Sequence, residues 1–148
     1  MLGNSRREGI DVRITTTMQA QHRHCDELLA QAEAAARRKD WSACAASAHD
    51  FVAATEAHLA LEESGLFPAL EQATGMRDGP TQMMRIEHGE MRELMAGLNA
   101  AVAAQDGDEF LGCCETLLIL LQQHNMKEEN ILYPMCDQHL SSELAPLL

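Results

Sequence analysis

Two stretches of the chain carry a histidine and a glutamate four residues apart within matching flanks: His58 with Glu62, and His124 with Glu128. On a helix this spacing stacks both groups on one face, about one turn apart, where they can point at a common spot. A single pair of this kind is usually an ordinary surface contact. Here, however, the flanks repeat as well. His58-Leu-Ala-Leu-Glu62-Glu63-Ser-Gly-Leu66-Phe67-Pro68 and His124-Asn-Met-Lys-Glu128-Glu129-Asn-Ile-Leu132-Tyr133-Pro134 both read H-x-x-x-E-E-x-x-L-aromatic-P, at an offset of 66 residues. The same offset lays His22-Arg-His-Cys-Asp-Glu27-Leu28-Leu29 on His88-Gly-Glu-Met-Arg-Glu93-Leu94-Met95. Six side chains are singled out: His22, His58, Glu62, His88, His124 and Glu128. Nitrogen and oxygen donors without thiolate suit iron, and also zinc or manganese. Two carboxylates shared between two ions, with two imidazoles for each, describe a symmetric dinuclear site of the kind helix bundles build from inward-facing Glu and His.

Four long helical stretches must position these groups. The first is predicted over Thr15–Arg38, with Lys39-Asp40 opening a turn, and the second over Trp41–Phe67, where Pro68 disturbs it. After a loop at 73–79, Pro80 starts a third helix that ends near Gln105. Asp106, with Glu109 three residues later, caps a fourth that runs to about Leu132 and stops at Tyr133-Pro134. Short connections between helices of similar length favour an all-α, up-down-up-down antiparallel four-helix bundle, and the offset gives it an internal pseudo-two-fold repeat. The expected division is an N-terminal arm at 1–14, the bundle at 15–135 and a C-terminal tail at 136–148, with a short helix around Ser141–Leu147. Inward stripes follow from the 3.6-residue period: Met18, His22, Cys25, Leu29 and Ala32 on the first helix, Met84, His88, Met91, Met95 and Leu98 on the third, and Leu117, Leu121, His124, Glu128 and Ile131 on the fourth. Histidine and glutamate on apolar stripes are costly unless each polar group finds a partner. In an up-down bundle the starts of the first and third helices lie level with the ends of the second and fourth, so all six side chains converge.

These motifs, with Glu87-His88 between them, resemble the hemerythrin-like, HHE cation-binding domain over roughly residues 15–135. The resemblance implies an antiparallel four-helix bundle holding two iron ions in a carboxylate-bridged di-iron centre, with His22, His58, Glu62, His88, His124 and Glu128 as ligands. Oxygen-carrying hemerythrins place two histidines on the third helix, in an H-x-x-x-H pair. Here Arg92 stands one turn after His88, and four of the five expected histidines are present. The resemblance therefore points to members that sense iron or oxygen, or that repair iron centres under nitrosative stress, more than to reversible carriers.

The remaining sequence narrows the field. A formal charge of −12 argues against nucleic acid or anionic membrane as a partner. Apolar runs such as Cys113–Leu121 are shorter than the roughly 20 residues of a membrane span. No apolar segment follows the basic residues of the first seven, so no signal peptide is expected. Five cysteines without a CxxC pair suit a reduced, cytoplasmic setting. His24 falls off both the stripe and the repeat, and His49 and His139 read as surface residues. Glu63 and Glu129 are either solvated helix ends, the more ordinary outcome, or groups that orient a ligand imidazole. Cys25 and the three methionines of the third helix read as core. Three functions compete: a module that binds or senses oxygen, nitric oxide, peroxide or iron; a di-iron redox enzyme, peroxidase-like or active in iron-centre repair; and a structural metal site. With no nucleotide loop or nucleophile elbow in the sequence, the first is favoured.

Overall fold

The computed structural model describes residues 13–140. The arm before residue 13 and the short helix expected around Ser141–Leu147 lie outside the described residues. Four rods form an antiparallel bundle in which each packs on its two neighbours, and the ends of the second and fourth rods also meet. The first rod is α1 (Ile14–Arg37). The second joins α2 (Trp41–Leu61), a π-helical turn (Glu62–Leu66) and α3 (Phe67–Thr74). The third is α4 (Pro80–Ala104). The fourth joins α5 (Gly107–Lys127), a second π-helical turn (Glu128–Leu132) and α6 (Tyr133–His139).

The repeat is visible in the connections. Lys39 and Gln105, 66 residues apart, both take the left-handed conformation, with φ of 60° and 52°. The next residue in each copy caps the following helix: Asp40 accepts from the Ala43 N–H, and Asp106 from the Glu109 N–H. At the opposite end the copies tie the rods together. Asp137 accepts from the Ile14 and Thr15 backbone N–H groups and from Thr15 Oγ1, at 2.6, 3.2 and 2.6 Å. Glu71, its counterpart in the first copy, accepts from Thr81 Oγ1 at 2.6 Å.

The second and fourth rods do not stop at their prolines as the sequence predicts. A proline lacks an N–H, and its ring crowds the carbonyl four residues back. The wider π turn relieves this. Phe67 donates its N–H to the Glu62 carbonyl and Tyr133 to the Glu128 carbonyl, each five residues back, and the rods run on to Thr74 and His139. The inserted residue shifts the helix phase. Ile131, placed on the inward stripe by the 3.6-residue period, is 54 % exposed, and Leu132 is buried in its stead.

The apolar interior is two clusters. A long one, including Leu29, Phe51, Met95, Leu98, Phe110 and Leu117, fills most of the bundle. A small one, including Ile14, Met18, Leu66, Phe67, Leu132 and Tyr133, closes the end where the first and third rods begin. Between them lies a layer of buried His and Glu.

Candidate metal centre

All six residues singled out from the sequence lie in that layer, and all are buried. His22 and His88 project from the third turn of α1 and α4. His58 and His124 sit in the last turn of α2 and α5, and Glu62 and Glu128 open the two π turns. They form two overlapping groups of four: His22, His58, Glu62 and Glu128; and His88, His124, Glu62 and Glu128, with the donor atoms of each group within 4.8 Å of one another. The carboxylates belong to both groups. Three pairs close at 3.0 Å: His22 Nε2 to Glu128 Oε1 and His88 Nε2 to Glu62 Oε1 between the copies, and His124 Nε2 to Glu128 Oε2 within the second.

A metal fits this layer. Glu62 Oε1, Glu128 Oε2, His88 Nε2 and His124 Nε2 are buried without a hydrogen-bond partner, because the facing atoms are close but out of alignment. Buried polar atoms left this way are costly, and an ion between them would satisfy all four at once. Without an ion, protons do part of the same work. Burial opposes a charge on His88, but Glu128, Glu62 and Glu63 outweigh it and raise its pKa to about 10. Burial likewise disfavours the Glu128 carboxylate, yet His124, His22 and His88 hold it well below its ordinary range.

The Nδ1 side of every imidazole is also engaged. His22 faces Glu129 at 2.6 Å, His88 faces Glu63 at 2.7 Å, His124 faces Glu87 at 2.7 Å, and His58 faces the amide oxygen of Gln21 at 2.7 Å. An ionised carboxylate only accepts, so in the three carboxylate pairs Nδ1 carries the hydrogen and Nε2 is the atom turned to the centre. Glu63 and Glu129 are therefore not solvated helix ends; they orient His88 and His22. These partners come in repeat pairs too: Glu63 with Glu129, and Gln21 with Glu87. Adjacency to His22 and His88 is the one sequence signal that could have found the second pair.

Arg92, at the position where carriers have a histidine, does not enter the layer. Its guanidinium donates to Glu63 at 2.8 and 3.0 Å and to Glu56 at 2.9 and 3.0 Å, so it fixes the carboxylate that orients His88. Glu87 is held in the same manner by Lys127.

Tyr133 is a further participant that the sequence reading missed. Its hydroxyl meets four donor atoms of the first group: Glu62 Oε2, Glu128 Oε1 at 2.7 Å, His22 Nε2 at 3.1 Å and His58 Nε2 at 3.3 Å. Burial, and then the Glu62 and Glu128 carboxylates, push its pKa well above the usual phenol value, so it stays a neutral donor. The repeat partner, Phe67, offers no hydroxyl and stacks on His88 at 5.6 Å. In a regular helix, residues five apart lie about 140° apart around the axis. The π turn is what brings Tyr133 round to Glu128. Of the other histidines, His24, His49 and His139 are exposed, as expected.

Among the described residues no helix is long and apolar enough to cross a membrane. Comparison with curated proteins and with solved structures finds no match. Residues 13–136 match the family model of the hemerythrin HHE cation-binding domain, and the chain belongs to that family.

Proposed function

We propose that the protein is a non-haem di-iron protein that binds or senses a small molecule, such as oxygen, nitric oxide or peroxide, or reports iron supply. The observation that supports this most directly is the pair of overlapping four-donor groups, buried and sharing both carboxylates. His22 and His58 would hold one ion, His88 and His124 the other, with Glu62 and Glu128 reaching both. Two imidazoles and shared carboxylates leave room in each ion's coordination sphere for an exogenous ligand, and iron in such a site supplies redox chemistry and affinity for small diatomic molecules. Among the described residues, the cavity that touches His22, His58 and His124 holds about 20 Å3, which accords with a ligand of very few atoms. The charge of −12 and the reduced-thiol composition accord with a cytoplasmic protein that avoids nucleic acid and anionic membranes.

Metal analysis tests the reading. Protein purified from iron-supplied cells should hold two irons per chain. Glu62→Ala and Glu128→Ala should each lose both, because each carboxylate serves both ions, whereas His49→Ala and His139→Ala should keep both. Retention of two ions in both glutamate variants would defeat the assignment, and zinc in place of iron would favour a structural role.

A further inference from the structure

Two faces of the bundle beside the buried layer are repeat copies of each other, and they are built differently. On one, the Arg92 guanidinium of the third rod is held by Glu56 and Glu63 of the second at 2.8 to 3.0 Å. Leu59, between those glutamates in sequence, is buried. The 66-residue offset maps Arg92, Glu56, Leu59 and Glu63 onto Asp26, Gln122, Asn125 and Glu129. All four of these line an open groove of about 450 Å3 between the first and fourth rods, together with Met126 and Asn130. Where one face has a guanidinium between carboxylates, the other is lined by two carboxylates and three side-chain amides, with no cation among them.

The groove continues inward. Asp26 and Asn125 also line the cavity that touches His22, His58 and His124. His124 is 1 % exposed, and its Nε2 is one of the buried atoms without a hydrogen-bond partner. Polar groups therefore run in file from solvent to an unsatisfied donor: Glu129 and Asp26 at the mouth, Asn125 between, His124 inside. Carboxylates at a mouth raise the local concentration of cations. Carboxylate and amide oxygens can replace part of the water shell of a divalent ion. On the repeat-related face the same place is already taken by a cation of the chain itself, Arg92.

We propose that the groove of Asp26, Asn125 and Glu129 is the entrance by which hydrated divalent metal ions reach the centre. Arg92, Glu56 and Leu59 seal the repeat-related face, so loading runs from one side of the bundle. The inference rests on the di-iron reading and adds to it a route.

A group met only in transit changes the rates of loading and release by the same factor and leaves affinity alone, which separates a route from a ligand. Release is read by mixing the reduced, iron-loaded protein with excess ferrous chelator. Loading is read by mixing the chelated protein with Fe2+ in the absence of oxygen. Asp26→Asn should slow both by about three- to tenfold at low salt, a fraction of the roughly 10- to 1,000-fold that electrostatic steering supplies. Asp26→Arg combined with Asn125→Leu copies the sealed face and should slow both by more than about tenfold, with two irons still bound and Kd nearly unchanged. Added salt should slow wild-type loading more steeply than loading of this double variant. Glu115→Arg, an equal change of charge on an exposed position of α5, should leave both rates near those of the wild type. Asp26→Asn keeps the shape and decides alone where the double variant does not fold. Two irons per chain with unchanged rates in the Asp26 variants overturn the route and leave entry to opening of the end cluster. A lower affinity at an unchanged loading rate also overturns it, and so does equal slowing in Glu115→Arg. A wild type without two irons defeats the di-iron reading instead.

Discussion

Around His88 and His124 both Nδ1 atoms face carboxylates, and each carboxylate is tied to a cation, Glu63 to Arg92 and Glu87 to Lys127. Around His22 and His58 the counterparts are one carboxylate, Glu129, and one amide, Gln21, while the positions equivalent to Arg92 and Lys127 are Asp26 and Leu61. Tyr133 faces the first pair and Phe67 the second. The copies therefore agree at the six inward donors, the two turns and the caps, and differ one layer further out. Groups that would touch an ion leave little freedom of residue type, whereas groups that hold an imidazole from behind need only accept a hydrogen bond. The same donors can thus be given different surroundings, and two like positions can acquire unlike roles.

The strongest way to break the comparison is to remove the metal altogether. The two carboxylates would then face each other across a buried layer, and four polar atoms would lose their partner. At about 2–4 °C per kcal/mol for a chain of this length, a loss of several kcal/mol should lower the melting temperature by about 10 °C or more. Calorimetry before and after chelation checks this, and identical curves would refute it. Next in size is the exchange of the outer partners. Glu87→Gln gives His124 the neutral partner that His58 has, and should weaken one of the two ions about 10- to 100-fold and leave the other nearly unchanged. Gln21→Glu should tighten the other. Competition with a graded chelator would show both shifts, and a change of both ions together in either variant would sink the distinction. The smallest effect is expected from Arg92→Gln. His88 keeps its bond to Glu63, and only the rigidity of that carboxylate is reduced. Affinity for one ion should fall by no more than about threefold, a modest fraction of the range for losing such a partner outright. A larger loss would mean that Arg92 contributes through its charge as well as through the hold on Glu63.

Much of this was legible in the sequence, for a definite reason. His58–Glu62, His124–Glu128, the Asp106 cap and the Pro80 start all depend on distances within one regular helix, which the 3.6-residue period supplies. What escaped lies where that period fails or where partners come from different rods. The π turns moved the inward position from Ile131 to Leu132 and turned Tyr133 toward Glu128. Glu63 and Glu129 find their imidazoles on other rods, 25 and 107 residues away, so no local spacing identifies them.

The division of the apolar interior by the polar layer bears on how a centre so deeply enclosed can be loaded. The end cluster is built from only the first turns of two rods and the π and terminal segments of the other two, closed by the Asp137 and Glu71 ties. It shares no side chain with the long cluster, which makes it a candidate for opening as a separate unit. Subglobal opening of this kind costs less than complete unfolding. In hydrogen-exchange terms, amides near Met18, Met84 and the two π turns are expected to exchange before those around Leu98 and Leu117. Because the π turns carry Glu62 and Glu128, such an opening would bring these two buried carboxylates to solvent while most of the fold stays assembled.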